Sequence, residues 1–311
     1  MSLSLLQIAK STGSIKAIDM YESGVLRPEA SRKIINTIVD KSEFLSKITI
    51  DKTKKLQKSF DVWGIASGVL VRVASGKAPT ETQKQKIGAK SVLLDNKLVQ
   101  LFTHITQDTL EDNADNPNFE SETFESFSKT FSNDLQNLGM VGEKDDYNNQ
   151  EFKNLNKGWF ALAKEKSGVK KLEHKKESKM LDRLTAMVMA GSEDAVKDSV
   201  IILSQFDYLA YQKEIGNKNG GLGVLLNTGA NQVLGVPLVV ADFVPKSKYL
   251  MTPLKNLIMS IGLDIRRVRW YDHEKSSLMY KFEVYNDYEI GVDSWVTLSE
   301  ESETDSDGDG V

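Results

Sequence analysis

A mixed α+β fold is what this sequence predicts, and three unlike segments followed by a strand-rich block predict it. Residues 26–42 place apolar side chains at helical spacing, 47–97 form a long lysine-rich stretch with strand-like alternation, and 117–138 repeat aromatic and aliphatic residues at a helical period above an acidic opposite face. The closing block, 264–298, is distant in sequence from the earlier strands yet can join them in one sheet.

Taken in order, residues 1–24 mix small polar and apolar residues with Gly13 and Gly24 and read as an arm, too short to be a domain. Pro28 stands where a helix can start, and Ile34, Ile35, Ile38 and Val39 recur at helical spacing as far as Ser42. Strand alternation follows in 48–51 and 68–74. The Gly76-Lys77-Ala78-Pro79 turn separates the second of these from 90–106, which predicts a long hairpin. In the next helix, Asn116-Pro117 opens the run, Phe124, Phe127, Phe131, Leu135 and Leu138 form one stripe, and Gly139 and Gly142 can close it. The stripe is read as core. Beyond it, 164–179 is so rich in lysine that it reads as a solvated excursion, 180–190 and 205–215 as helices, and 198–204 as a buried strand. A Gly/Asn loop over 216–223 precedes strand-like runs at 236–244, 264–272, 277–290 and 294–298.

Composition bounds the function. With 311 residues, 40% of them hydrophobic, the chain can bury a sizeable core and is expected to form two lobes. No apolar run reaches the roughly 18 residues that would span a bilayer, and the first residues lack the regions of a signal peptide. The absence of cysteine excludes disulfides, thiolate metal sites and a cysteine nucleophile, and three scattered histidines (His104, His174, His273) argue against a zinc site. No metal or cofactor is expected. A formal charge of −4 argues against a dedicated nucleic-acid binder.

The distribution of charge says more than its total. Residues 47–97 hold eleven Lys/Arg against four acids, whereas 111–151 hold eleven acids against Lys129 and Lys144. Charge runs are ordinarily solvated faces. Here the basic stretch also has too little apolar surface to fold alone, so contact with an acidic surface on a neighbouring copy becomes a competing reading.

Two motif-like strings carry little. Asp305-Ser306-Asp307-Gly308-Asp309-Gly310 matches the first half of a calcium loop, but the chain lacks the twelfth-position Glu, and an acidic flexible tail is the better reading. Gly220-Gly221-Leu222-Gly223 has Leu226 where a third glycine would stand and no following G-K-[ST], so neither nucleotide fingerprint is met. No Ser/His/Asp set has a recognisable spacing. Asp108, Glu111 and Asp112 read as solvated turn acids, so no enzymatic activity is expected.

Three segments carry a family resemblance: LRPEASRKIINTIVDKSEFLSKITI, LFTHITQDTLEDNADNPNFESETFESFSKTFSNDLQNLGMVG, and GVPLVVADFVPKSKYLMTPLKNLIMSIGLDIRRVRWYD with Leu254, Asn256 and Leu257 in an L-x-N-L arrangement. In order and character, over 26–298, the chain resembles tailed-phage major capsid proteins of the Hong Kong 97-type fold.

That resemblance implies an N-terminal arm and short helix (1–43), an extended loop hairpin (44–97), a peripheral domain with a long spine helix (98–142 and 251–298), an axial domain (143–250) and a flexible acidic tail (299–311). It further implies that the extended loop of one subunit lies across the peripheral domain of its neighbour. Loop contacts are then expected at Lys54, Lys55, Lys58, Val69, Leu70, Val71 and Val73, and the acidic partner surface at Glu120, Glu122 and Glu125 of the spine helix. The expected function is a major capsid protein forming an icosahedral head shell around double-stranded DNA, in the virion after assembly in the host bacterial cytoplasm. Expected partners are copies of itself in hexamers and pentamers, a separate scaffolding protein, a portal, and packaged DNA held by non-specific contact, with no membrane. An encapsulin-like shell holding cargo enzymes is the first alternative, and a soluble nucleotide-binding protein using the glycine loop is the alternative of another class.

Overall fold

The computed structural model describes residues 28–40, 42–64, 73, 77–78, 88–146, 148–149, 151–217 and 231–302, leaving aside the side chains of 28–30, 61–64, 88–90, 120–121 and 124. Val69, Leu70, Val71, the Gly220–Gly223 loop, the expected arm before Pro28 and the tail beyond Ser302 lie outside the described residues.

Two sheets and one projecting ribbon organise the chain. Helix α1 (Pro28–Asp40) leads into β1 (Thr49–Thr53), the ribbon strands β2 (Gln57–Gly64) and β3 (Gly88–Asp95), and β4 (Lys97–Thr106). Helices α2 (Gln107–Asp112) and α3 (Phe119–Val141) come next, then α4 (Trp159–Glu165), β5 (Lys170–His174), α5 (Met180–Ala190), β6 (Val200–Leu203) and α6 (Gln205–Gly216). The remainder is strand: β7 (Gln232–Val233), β8 (Val236–Val240), β9 (Lys248–Thr252), β10 (Leu257–Gly262), β11 (Arg266–Asp272), β12 (Ser277–Ile290) and β13 (Thr297–Glu301).

The long strand β12 is the axis of a five-stranded sheet. Antiparallel β4 runs along one edge of it, from Asn286 opposite Lys97 to Ser277 opposite Thr106. Strands β10 and β11 follow one another along the other edge, and β1 pairs in parallel with β10. Alternation along β4 turns Val99 inward and leaves Leu98, Gln100, Phe102 and His104 exposed, as a sheet with one covered face requires. The cover is α3, whose expected stripe is confirmed at Phe131, Leu135 and Leu138, all buried, with Phe127 edge-on to Tyr280 at 5.5 Å between ring centroids.

Trp159 and Tyr288 lie at the centre of this core, 5.1 Å apart and edge-on, with the indole N–H donating to the carbonyl of Ile258 at 3.2 Å. Gly139 is where α3 passes this indole. A Cβ there would stand 2.6 Å from the Trp159 ring, so Gly139 permits close approach inside the helix, and Gly142 alone closes it, through its N–H to the carbonyl of Leu138.

The second sheet has six strands in the order β5-β13-β9-β6-β8-β7, backed by α5 and α6 over a smaller core that includes Met180, Leu184, Met187, Ile201, Tyr211 and Tyr249. Asn256 joins the two sheets. Its amide donates to Thr252 Oγ1 and to the carbonyl of Val292, and its carbonyl oxygen accepts the Val292 N–H at 2.7 Å. The turn that leaves β9 for β10 is thereby tied to the turn that leaves β12 for β13.

Several expectations change. The lysine-rich 164–179 stretch contains a strand, β5, whose lysines are tolerated because it is an edge strand with Lys170 and Lys171 exposed. The 90–106 run is two strands broken at Asn96, and the ribbon's first strand is β2, whereas 68–74 lies outside the described residues apart from Val73. The acids Asp108, Glu111 and Asp112 sit on a short helix rather than in a turn. Of the 44–97 span, β1 belongs to the five-stranded sheet. The last strand extends to Glu301 and joins the six-stranded sheet.

Candidate assembly surfaces

The ribbon leaves the body at a locked root. Asn96, buried between β3 and β4, donates its side-chain amide to the carbonyls of Lys55 and Leu56 at 3.2 and 3.1 Å, and its backbone N–H to Leu56 at 2.8 Å. Asp95 N–H donates to Asp287 Oδ2 at 2.7 Å, and the Asn156 amide donates to the Asn286 carbonyl at 3.1 Å. Burial raises the Asp287 carboxyl to about 6, against the opposing effect of hydrogen bonds from the Asp95 and Tyr288 backbone. Nearer solvent, hydrogen bonds from Lys97 and Gln57 hold the Asp95 carboxyl below its ordinary value, and Lys97 also reaches Asp145 at 3.0 Å.

On the ribbon one face is turned to the body and one away from it. Val92 and Leu94 are buried, whereas Leu93, Ser59 and Ser91 are exposed, following the period of two along a strand. Of the expected loop contacts, Lys54 and Lys55 are exposed on the turn between β1 and β2, and Val73 is 36% exposed. Lys58 is different. Its ammonium is 2.6 Å from Asp51 Oδ1 in the same chain, so its charge is answered locally.

Of the expected acidic surface, Glu122 and Glu125 are exposed on α3, and the side chain of Glu120 lies outside the described residues. Glu122 accepts from the Asn116 amide at 3.2 Å, and Glu125 has an interaction within its own chain. The structure does not bring these acids together with Lys54 or Lys55 of the same chain. A second acidic edge is Asp108, Glu111, Asp112 and Asp115 on and after α2, all exposed. Beside it runs an open groove of about 450 Å³ lined by Gln107, Leu110, Glu111, Ala114, Tyr271 and Leu278. The acids were legible in the sequence, but the groove needs Tyr271 and Leu278 from β11 and β12, so no local signal could have disclosed it.

Among the described residues no group of three or more His, Asp or Glu side chains is placed to hold a metal ion, and no helix is long and apolar enough to cross a membrane.

No protein-family model matches the chain, and no curated protein matches it in sequence. Solved structures do. A chain of the satellite phage P4 procapsid that includes the size-determination protein superposes with a TM-score of 0.74 at 16% identity, over 88% of this chain and 91% of that one. The fold is that of phage major capsid proteins. A chain from the capsid of an empty GTA particle shares the capsid fold at a TM-score of 0.60 and 10% identity, over 84% of this chain and 90% of that one. A virus-like particle from Pyrococcus furiosus shares it at 0.55 and 11% identity, over 86% of this chain and 96% of the other. The capsid fold expected from the resemblance is thus the one observed.

Proposed function

We propose that this chain is the major capsid protein of a tailed bacteriophage, self-assembling into an icosahedral head shell that encloses double-stranded DNA. The near end-to-end likeness to a procapsid chain carries the reading. In this assignment the β2–β3 ribbon is the extended loop, the five-stranded sheet with α3 as spine helix is the peripheral domain, and the six-stranded sheet with α5 and α6 is the axial domain. The role is structural, the location the virion, and assembly takes place in the host cytoplasm. Partners are copies of the chain in hexamers and pentamers, a scaffolding protein, a portal, and packaged DNA held without sequence specificity.

The physics of a shell suits the surfaces described. Many modest contacts repeated over a closed lattice hold together although each pair is weak. Exposed charges act over about 8 Å at physiological salt, so the lysines steer, and registry comes from apolar and strand contacts. Net charge is no obstacle, because packaged DNA is neutralised largely by small cations.

Sedimentation of the protein co-expressed with its neighbouring genes tests the assignment. Fast-sedimenting particles holding nuclease-protected double-stranded DNA are expected. Particles filled with a protein cargo would move the assignment to an encapsulin-like shell. A monomer sedimenting alone would remove both.

A further inference from the structure

Two small surfaces at opposite ends of β4 complement one another. The first is a knob, the Lys54-Lys55-Leu56 turn that enters the ribbon. Leu56 is 55% exposed there, between two exposed lysines on one side and Gln57 on the other. Its backbone is fixed: Lys55 N–H donates to Thr53 Oγ1 at 3.1 Å, and Asn96 holds the carbonyls of Lys55 and Leu56 at 3.2 and 3.1 Å. An apolar side chain displayed on a turn so restrained has lost most of its freedom before it binds, which lowers the entropic cost of docking.

The second is a socket, the groove between α2 and the ends of β11 and β12. Its floor is apolar, from Leu110, Ala114, Leu278 and the ring of Tyr271. Its walls are also fixed, since Gln107 N–H donates to the Ser276 carbonyl at 3.0 Å and the Tyr271 hydroxyl donates to the Gln107 side chain. Glu111 is the acid on its rim, and Asp108, Asp112 and Asp115 stand exposed on the same short helix and the residues after it.

Within one chain the two cannot meet. Asn96 at the knob and Gln107 at the socket are separated by the ten residues of β4, an extended strand of about 33 Å at ~3.3 Å per residue. We propose that the knob of one copy seats in the socket of the next, with Leu56 in the apolar groove and Lys54 and Lys55 against the acidic rim. The contact is heterologous, so its repetition closes a ring where the rotation allows. This inference rests on the self-assembly reading and redirects the basic loop from the α3 face to α2. Lys58 is already answered by Asp51.

The chain has no cysteine, so Leu56→Cys combined with Ala114→Cys introduces the only thiols. Treatment of assembled particles with a short bis-maleimide is expected to link copies into covalent oligomers on a denaturing gel, and neither single substitution should do so. Assembled particles that give no linked oligomers overturn the docking. Should the doubly substituted chain not assemble, charge exchange decides. Lys54→Glu with Lys55→Glu, and separately Asp108→Lys with Glu111→Lys, should each cut particle yield about tenfold, and the four together should restore most of it. Absence of rescue overturns the docking. The unsubstituted chain run in parallel separates the two failures: if it forms no particles the assembly reading falls, and if it does, only the knob and socket fall.

Discussion

Asp287 accepts the backbone N–H of Asp95 at 2.7 Å, a bond between residues 192 apart in sequence that fastens the ribbon to the central strand of the five-stranded sheet. Burial raises this carboxyl from 3.8 to about 6. The folded protein therefore holds the proton more tightly than the unfolded chain does. The resulting stabilisation is complete below about pH 4 and is lost as pH rises through about 6. Asp287→Asn keeps an acceptor and abolishes the titration. Relative to the unsubstituted chain, its stability should improve between pH 4 and pH 7, by on the order of 2 kcal/mol above pH 7, in urea denaturation of the isolated subunit. Parallel pH profiles for the two proteins would contradict this account of the root.

Gly139→Ala separates packing from propensity. Alanine in a helix interior gains about 1 kcal/mol over glycine, but its Cβ would stand 2.6 Å from the Trp159 ring. Overpacking should prevail, with a net loss of about 1–3 kcal/mol in the urea midpoint analysis. A more stable variant would mean that α3 can move away from Trp159 at little cost.

Asn256→Ala removes a side chain that satisfies both the N–H and the carbonyl of Val292. Stranding these partly buried backbone groups should cost about 1 kcal/mol, and the loss should be accompanied by faster amide exchange at the β12–β13 turn. Unchanged exchange at Val292 would show that the two sheets are held together by packing instead.

The basic loop divides in two. Lys54→Glu with Lys55→Glu should leave subunit stability within about 0.5 kcal/mol while impairing assembly, because both lysines are exposed. Lys58→Glu acts within the chain by setting a carboxylate beside Asp51, and should lower the melting temperature of the isolated subunit. The Lys58–Asp51 pair is partly exposed, so its own worth is less than about 1 kcal/mol. Equal melting temperatures for the two variants would contradict this division.

Much of the architecture was legible because its periodicity is local. The stripe through Phe127, Phe131, Leu135 and Leu138 announced α3, and β12 showed as one strand-like run. Strands β9 and β10 were hidden because KYLMT and LIMSIG are buried almost throughout, which erases the alternation that marks a half-exposed strand. Strand β5 was masked by the opposite cause, lysines placed on an open edge. Pairings such as Thr49 with Ile258 depend on the fold as a whole and leave no trace in either segment. The site divides in the same way. Exposure of Lys54 and Lys55 followed from the charge run, but the capture of Lys58 by Asp51 follows from the geometry of the β1–β2 turn. The α2 groove exists only because β11 and β12 bring Tyr271 and Leu278 beside Leu110.

The central claim is self-assembly into a closed shell. Negative-stain electron microscopy of the purified protein, expressed alone and with its neighbouring genes, tests it most directly. Closed shells or capsomer rings are the predicted result. A monodisperse monomer in both preparations would contradict the account.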